Sequence, residues 1–164
     1  MKGHFENFAA YNSWANDTLY AAVGDLSADQ RNQDLSGFFK SIMGTLNHIL
    51  VGDLLWMQRL GVDGPVPKVL DEILHSDFDT LYCERKLADG RLIHLMHQQT
   101  DDSLRTYLDY KTTKGDECHD QISAILSHML NHQTHHRGQC HHMLSQLGEA
   151  PPSIDMIYFI RSIT

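Results

Sequence analysis

Residues 120–147 read DQISAILSHMLNHQTHHRGQCHHMLSQL and carry the clearest helical pattern in the chain. The apolar residues of this segment recur at intervals of three and four, the period of an amphipathic helix. When each residue advances by roughly 100°, the following residues share one arc: Ile122, Ile125, Leu126, Met129, Met143, Leu144 and Leu147. Gly148 and Pro151 follow the segment and predict the end of the helix.

The same helical phase divides the histidines of this segment into two groups. His136 falls inside the apolar arc and His132 falls at its margin, so both can face the interior of a helical bundle. The others lie more than roughly 100° from the centre of the arc. We expect these four on the rim of the bundle or in solvent: His128, His135, His141 and His142.

Three further segments show helical patterns, at about 4–23, 36–60 and 77–101. The second has so broad an apolar surface, including Phe38, that it predicts a helix inside a bundle. Four long helices joined by loops predict an all-α fold, a four-helix bundle.

Shorter elements are expected between and after these helices. Ser27 is a possible helix cap in the run LSADQ. Residues 107–120, YLDYKTTKGDECHD, predict a short hairpin or an extended loop around a KGD turn. Ser153 can cap a short C-terminal helix over DMIYFIRS.

Composition restricts the possible function classes. A length of 164 residues predicts a single domain, 1–164. The net charge of -8 and the absence of a basic stripe argue against nucleic-acid binding. Polar residues interrupt the most apolar stretch, 42–57, and the N-terminus lacks a signal-peptide core, so we expect no membrane segment and a cytoplasmic location. Three cysteines without a CxxC motif leave histidines and carboxylates as the main ligands of any metal.

His132 and His136 have the i, i+4 spacing that places two imidazoles on one helical face. Helical HExxH zinc sites use this geometry, but HQTHH lacks their glutamate, and such a pair also occurs on ordinary helix faces. A metal needs another ligand from a second helix. His48 is the leading option, although it lies roughly 90° from the centre of its helix's apolar stripe and periodicity leaves its orientation open. Cys140 is the rival ligand, although buried free cysteines usually act as small apolar residues.

Several neighbouring residues have two possible roles. Gln139 lies one turn from His136 and can orient its imidazole. We expect Arg137 to form a salt bridge or an interface contact rather than to anchor an anionic substrate. Asp53 is expected at a solvated helix position, with a role as a base near the metal as the alternative. Four residues could line a pocket or pack in the core: Tyr11, Asn12, Trp14 and Trp56.

Four segments together resemble the DinB/YfiT-like family. NHQTHHRGQ at 131–139 is similar to its C-terminal motif, roughly HxxxHRGQ. YNSWAN at 11–16 and LNHILVGDLLWMQRL at 46–60 resemble the motifs of its first two helices, and LSQLGEAPPSIDMIYFI at 144–160 resembles its characteristic tail. The four matches occur in the order that the family has, and the match is weakest at about 62–118.

The resemblance implies a specific site and fold. It makes His48, His132 and His136 the ligands of one divalent metal ion, with nickel or zinc as the main options, at one end of an up-down-down-up four-helix bundle that is often a homodimer. Several members of the family are thiol S-transferases or thiol-dependent isomerases that use low-molecular-weight thiols.

Three neutral histidines leave the charge of an ion uncompensated and leave coordination positions open, as in catalytic sites. Such an ion lowers the pKa of a bound thiol or water, so no protein nucleophile is required. The open site together with the resemblance implies thiol S-transfer to a small electrophilic substrate. Two alternatives are hydrolysis by activated water and non-catalytic metal binding in a damage-inducible stress response, in which Cys140 or a carboxylate would close the coordination sphere.

Overall fold

The computed structural model describes residues 1–164 and is mostly helical, with one small two-stranded sheet. The α-helices are α1 (Lys2–Gly24), α2 (Ala28–Asn32), α3 (Ile42–Arg59), α4 (Phe78–Gln98), α5 (Ile122–Gln146) and α6 (Met156–Ser162). The strands are β1 (Tyr107–Lys111) and β2 (Glu117–Gln121), which pair antiparallel. The hairpin predicted before the last long helix is therefore present, and the fold is not purely all-α. None of the helices is long and apolar enough to cross a membrane.

The long helices α1 and α4 lie side by side in opposite directions. Lys2 at the start of α1 donates to the carbonyl oxygen of His97 at the end of α4. Near the other end of α1, Tyr20 stacks on Phe78, the first residue of α4. The apolar faces of these helices contribute to a core of 27 buried residues.

Helices α3 and α5 form a second antiparallel pair. Thr45, near the start of α3, contacts Met143, near the end of α5. Trp56 in the last turns of α3 packs edge-on against His128 in the first turns of α5. Each helix of this pair also packs against one helix of the other pair. This arrangement brings the middle of α3, which contains His48, beside the histidine-rich part of α5.

Helix α3 begins at Ile42 and not near residue 36 as the apolar pattern predicts. The hydroxyl of Ser41 accepts a hydrogen bond from the backbone N–H of Gly44, which caps the helix. Just before the cap, Ser36 and Lys40 have φ angles of 61° and 64°, which a helix cannot accommodate. Phe38 therefore lies in a loop, with 88% of its surface exposed.

The predicted caps have different outcomes. Ser27 caps α2 in a capping box, because its hydroxyl accepts from Gln30 and the side chain of Gln30 accepts from its backbone N–H. The prediction for Ser153 is wrong, because α6 starts at Met156 and Asp155 is its N-cap residue. The chain around 151–154 is irregular, so Ser153 lies too far from the first helical turn to cap it.

Candidate metal centre

Three histidines converge between α3 and α5. His132 Nε2 lies 3.1 Å from His48 Nε2 and 3.1 Å from His136 Nε2. The ligand atoms of the three residues all lie within 4.8 Å of one another. The structure thus brings together the three residues that the resemblance implies as ligands, including His48, whose orientation periodicity leaves open.

A glycine allows the close approach of the two helices at this point. Gly52 lies one turn after His48 and faces the ring of His132. A Cβ atom at this position would lie 3.0 Å from His132 Cε1 and 3.4 Å from its Nδ1. A side chain larger than hydrogen would therefore press directly on the ring.

The outer nitrogens of two rings have hydrogen-bond acceptors as partners. His48 Nδ1 lies 2.9 Å from the carbonyl oxygen of Leu70, in the loop between α3 and α4. His136 Nδ1 lies 2.7 Å from the side-chain oxygen of Gln139. Because these oxygens only accept, each Nδ1 carries the proton, and each Nε2 presents a lone pair to His132.

This arrangement of lone pairs fits a cation. His132 Nε2 can donate at most one proton, so it can satisfy only one of the two lone pairs that face it. A divalent ion among the three Nε2 atoms would satisfy all of them, and neutral imidazole is a good ligand for zinc and for nickel. The residues present therefore fit the type of metal that the resemblance implies.

Burial keeps all three histidines neutral. It lowers the pKa of His132 to about 3, with smaller contributions from His136 and His48. Burial also lowers the pKa of His48 and of His136, although the hydrogen bonds to Leu70 and Gln139 act in the opposite direction. Neutral imidazole is the form that binds metal ions.

The convergent ligand group contains only these three histidines, with no thiol and no carboxylate. Cys140, the rival ligand, packs instead in the hydrophobic core, where burial raises the pKa of its thiol to about 12. Of the remaining histidines of α5, His128, His135 and His142 are exposed and His141 is half-buried, in agreement with the helical phase.

An aromatic side chain from the loop before α3 covers one side of the group. The ring of Phe39 stacks on that of His48, with 3.8 Å between centroids and 18° between planes. Its centroid lies 5.6 Å from that of His136. The sequence does not reveal this contact, because Phe39 falls inside a segment that the apolar pattern assigns to helix.

The expectation that Asp53 is solvated is wrong, and Asp53 is not a base at the metal group either. Only 1% of its surface is exposed. Its Oδ2 accepts hydrogen bonds from Arg85 Nη1 at 2.6 Å and from Gln133 Nε2 at 2.7 Å. Asp53 therefore belongs to a buried polar network next to the histidines.

The salt bridge expected as one option for Arg137 is not formed, and the burial of its side chain argues against an interface contact. Arg137 is buried and donates to the side-chain oxygens of Asn12, Asn16 and Gln133. Its hydrogen-bond acceptors, which include Thr134 Oγ1, are therefore neutral side chains. We refer to Asn12, Asn16, Asp53, Arg85, Asp89, Gln133 and Arg137 as the core polar network.

Of the four residues considered for a pocket, Trp56 lies beside the histidines and lines a cavity there. Asn12 belongs to the core polar network. Tyr11 and Trp14 pack against Phe159 in a separate cluster between α1 and α6, and Tyr11 also lines a second cavity, away from the histidines.

The fold and this group of side chains together define a class: a mostly helical protein in which two antiparallel helices present three convergent, neutral histidines. The DinB family model matches residues 1–163, and the chain belongs to the DinB family.

Two individual proteins illustrate the relationship. The chain is 26% identical to Protein DinB of Bacillus subtilis (strain 168) over 152 residues, which cover 88% of this chain and 87% of that protein. The crystal structure of a DinB-like protein from Bacillus cereus ATCC 10987 superposes with a TM-score of 0.64 at 19% identity. That match covers 89% of this chain and 94% of the other and supports the shared fold.

Proposed function

We propose that the protein binds one divalent metal ion, nickel or zinc, through His48, His132 and His136 and uses it to transfer a low-molecular-weight thiol to a small electrophile. The observation that carries this proposal is the convergence of three Nε2 atoms with no thiol or carboxylate among them. Three neutral ligands leave both charge and coordination positions available, which is typical of catalytic sites.

A bound ion would lower the pKa of a coordinated thiol, so that the thiol reacts as thiolate. The protein residues orient and shield this centre. The carbonyl of Leu70 and the side chain of Gln139 fix the rings of His48 and His136 through their Nδ1 protons. Phe39 covers one face of the His48 ring and keeps water from that side.

We also infer the finer features that family membership suggests. The antiparallel pairs α1/α4 and α3/α5 support an up-down-down-up four-helix bundle. A single domain, a homodimer and a cytoplasmic location stay predictions, and light scattering of the purified protein tests the dimer.

The test of the reaction is turnover of a model electrophile by metal-loaded protein with a panel of small thiols. We expect thiol-dependent turnover that His132→Ala removes and that His142→Ala retains, because His142 is exposed on the same helix. Equal rates for the wild type and His132→Ala would contradict the proposal. Turnover of esters or lactones without any thiol would support a hydrolase instead.

A further inference from the structure

A cavity of about 290 Å³ opens beside two of the three histidines. His48 and His132 form one part of its wall, and Trp56, Arg59, Tyr110 and residues of the hairpin turn form much of the rest. Its volume lies at the lower end of the range for small-molecule sites, which begins at roughly 300 Å³. The cavity therefore suits a small molecule that reaches the metal group from this side.

Arg59 is the only permanently charged residue that lines this cavity, and no carboxylate lines it. Its guanidinium carbon lies 4.5 Å from the ring centroid of Trp56 and 5.0 Å from that of Tyr110. The two rings hold the guanidinium by cation–π contacts, which leave its N–H groups free for a ligand. Arg59 makes neither an ion pair nor a side-chain hydrogen bond within the protein.

The position of Arg59 defines the shape of a suitable ligand. His48, Gly52 and Trp56 follow one another at i, i+4 spacing along one face of α3. The Cα atoms of His48 and Trp56 are therefore separated by roughly 12 Å along the helix axis. An elongated molecule that has its reactive group at one end and its anionic group at the other suits this spacing.

We propose that Arg59 binds the carboxylate of the molecule that reacts at the three histidines, so that the substrate class is a small, extended carboxylic acid. A planar guanidinium matches a carboxylate through two parallel hydrogen bonds. The inference rests on the proposed function, because it assigns a substrate class to the same site. The carboxylate belongs either to the thiol or to the electrophile, and the experiment separates these two sources.

The first arm measures thiol binding to cobalt(II)-loaded protein through the thiolate-to-cobalt absorption band. Mercaptohexanoic acid is compared with mercaptohexanol, which has the same chain length without the charge. If the thiol carries the carboxylate, wild-type protein binds the acid about 10-fold more tightly, the effect of one charge-assisted hydrogen-bonded pair. Arg59→Gln removes this preference and keeps the affinity for the alcohol. Arg59→Lys keeps part of the preference, and Arg161→Gln, an exposed control, keeps all of it.

The second arm compares KM for maleimidohexanoic acid and for N-ethylmaleimide with a neutral thiol. If the electrophile carries the carboxylate, an Arg59-dependent preference for the acid appears in this arm and is absent from the first.

A third arm works without thiol chemistry and follows quenching of tryptophan fluorescence by suberic acid in the metal-loaded protein. If no thiol gives an absorption band or turnover, the proposed function fails. The carboxylate site is still supported in that case if Arg59→Gln binds suberic acid about 10-fold more weakly than the wild type does. Equal values for wild type and Arg59→Gln in all three arms overturn the inference about Arg59.

Discussion

Two polar clusters lie side by side between α3 and α5, and they differ in where the positive charge that each one needs comes from. The core polar network contains its own cations, because Arg85 bonds Asp53 at 2.6 Å and Asp89 at 2.9 Å. The three histidines, by contrast, present neutral nitrogens that face one another. The buried carboxylates of the network thus have their counter-ion within the protein, whereas the three histidines fit an ion from outside.

This difference shows that motif residues which are close in sequence can serve different purposes. His136 and Gln139 belong to the histidine group. Arg137, between them, points into the core polar network and bonds Asn12 and Asn16 of the YNSWAN segment. The YNSWAN and NHQTHHRGQ segments, which resemble family motifs, therefore hold α1 against α5 and in this way help to position the histidines.

The largest expected effect comes from breaking the charge balance of the core polar network. Arg85→Met leaves the buried carboxylates of Asp53 and Asp89 without their nearest cation, so the free energy of unfolding of metal-free protein should fall by about 3–5 kcal/mol. Chemical denaturation measures this change, with the exposed Arg161→Met as the control. A loss below about 1 kcal/mol, the range of an exposed ion pair, would contradict the role assigned to the network.

Substitutions among His48, His132 and His136 should change the affinity for metal more than they change the free energy of unfolding. His132→Ala removes the nitrogen that faces both other rings. Loss of a hydrogen-bond partner of a ligand lowers metal affinity by roughly 10–100-fold, and loss of the ligand itself should lower it by more. Calorimetric titration with zinc and nickel measures the affinity, and His142→Ala, at an exposed histidine of the same helix, is the matched control. Wild-type affinity in His132→Ala would remove this residue from the ligand set.

A smaller effect is expected at the residue that orients His136. Gln139→Leu removes the acceptor of the Nδ1 proton, and metal affinity should fall by about 10–100-fold. Gln139→Glu keeps an acceptor oxygen and should restore most of the affinity. If both variants bind metal as the wild type does, the hydrogen bond at Gln139 has no part in the site.

The smallest effect tests the contact between the helices. Gly52→Ala places a Cβ atom 3.0 Å from His132 Cε1, so the ring must shift by a few tenths of an ångström. We expect metal affinity to fall by about 10-fold or less, equivalent to no more than about 1.4 kcal/mol. Gly90→Ala is the control, because a Cβ atom there meets no atom within 4 Å. An equal affinity in both variants would show that the ring tolerates the added methyl group.

The orientation of a side chain could be predicted from the sequence where it depends on the apolar face of a single helix. Helical phase alone places His132 and His136 inward and the other histidines of α5 outward, because α5 has one apolar face. The same method leaves His48 open, because 15 of the 18 residues of α3 are buried and a helix buried on most sides has no distinct stripe. For His48 the prediction comes from the family resemblance.

Contacts between distant segments could not be predicted in this way. Two partners of Arg137, Asn16 and Asn12, lie 121 and 125 positions away in the sequence. The carbonyl of Leu70 and the ring of Phe39 reach His48 from loops, where neither periodicity nor capping specifies the path of the chain.

The most direct test of the central claim is X-ray absorption spectroscopy on wild-type and His132→Ala protein loaded with zinc or nickel. For the wild type we expect one ion per chain with three imidazole nitrogens and a remaining position that exogenous ligand fills, and for His132→Ala the loss of this environment. Absence of a bound ion, a sulfur ligand from Cys140 or an unchanged spectrum in His132→Ala would contradict the account.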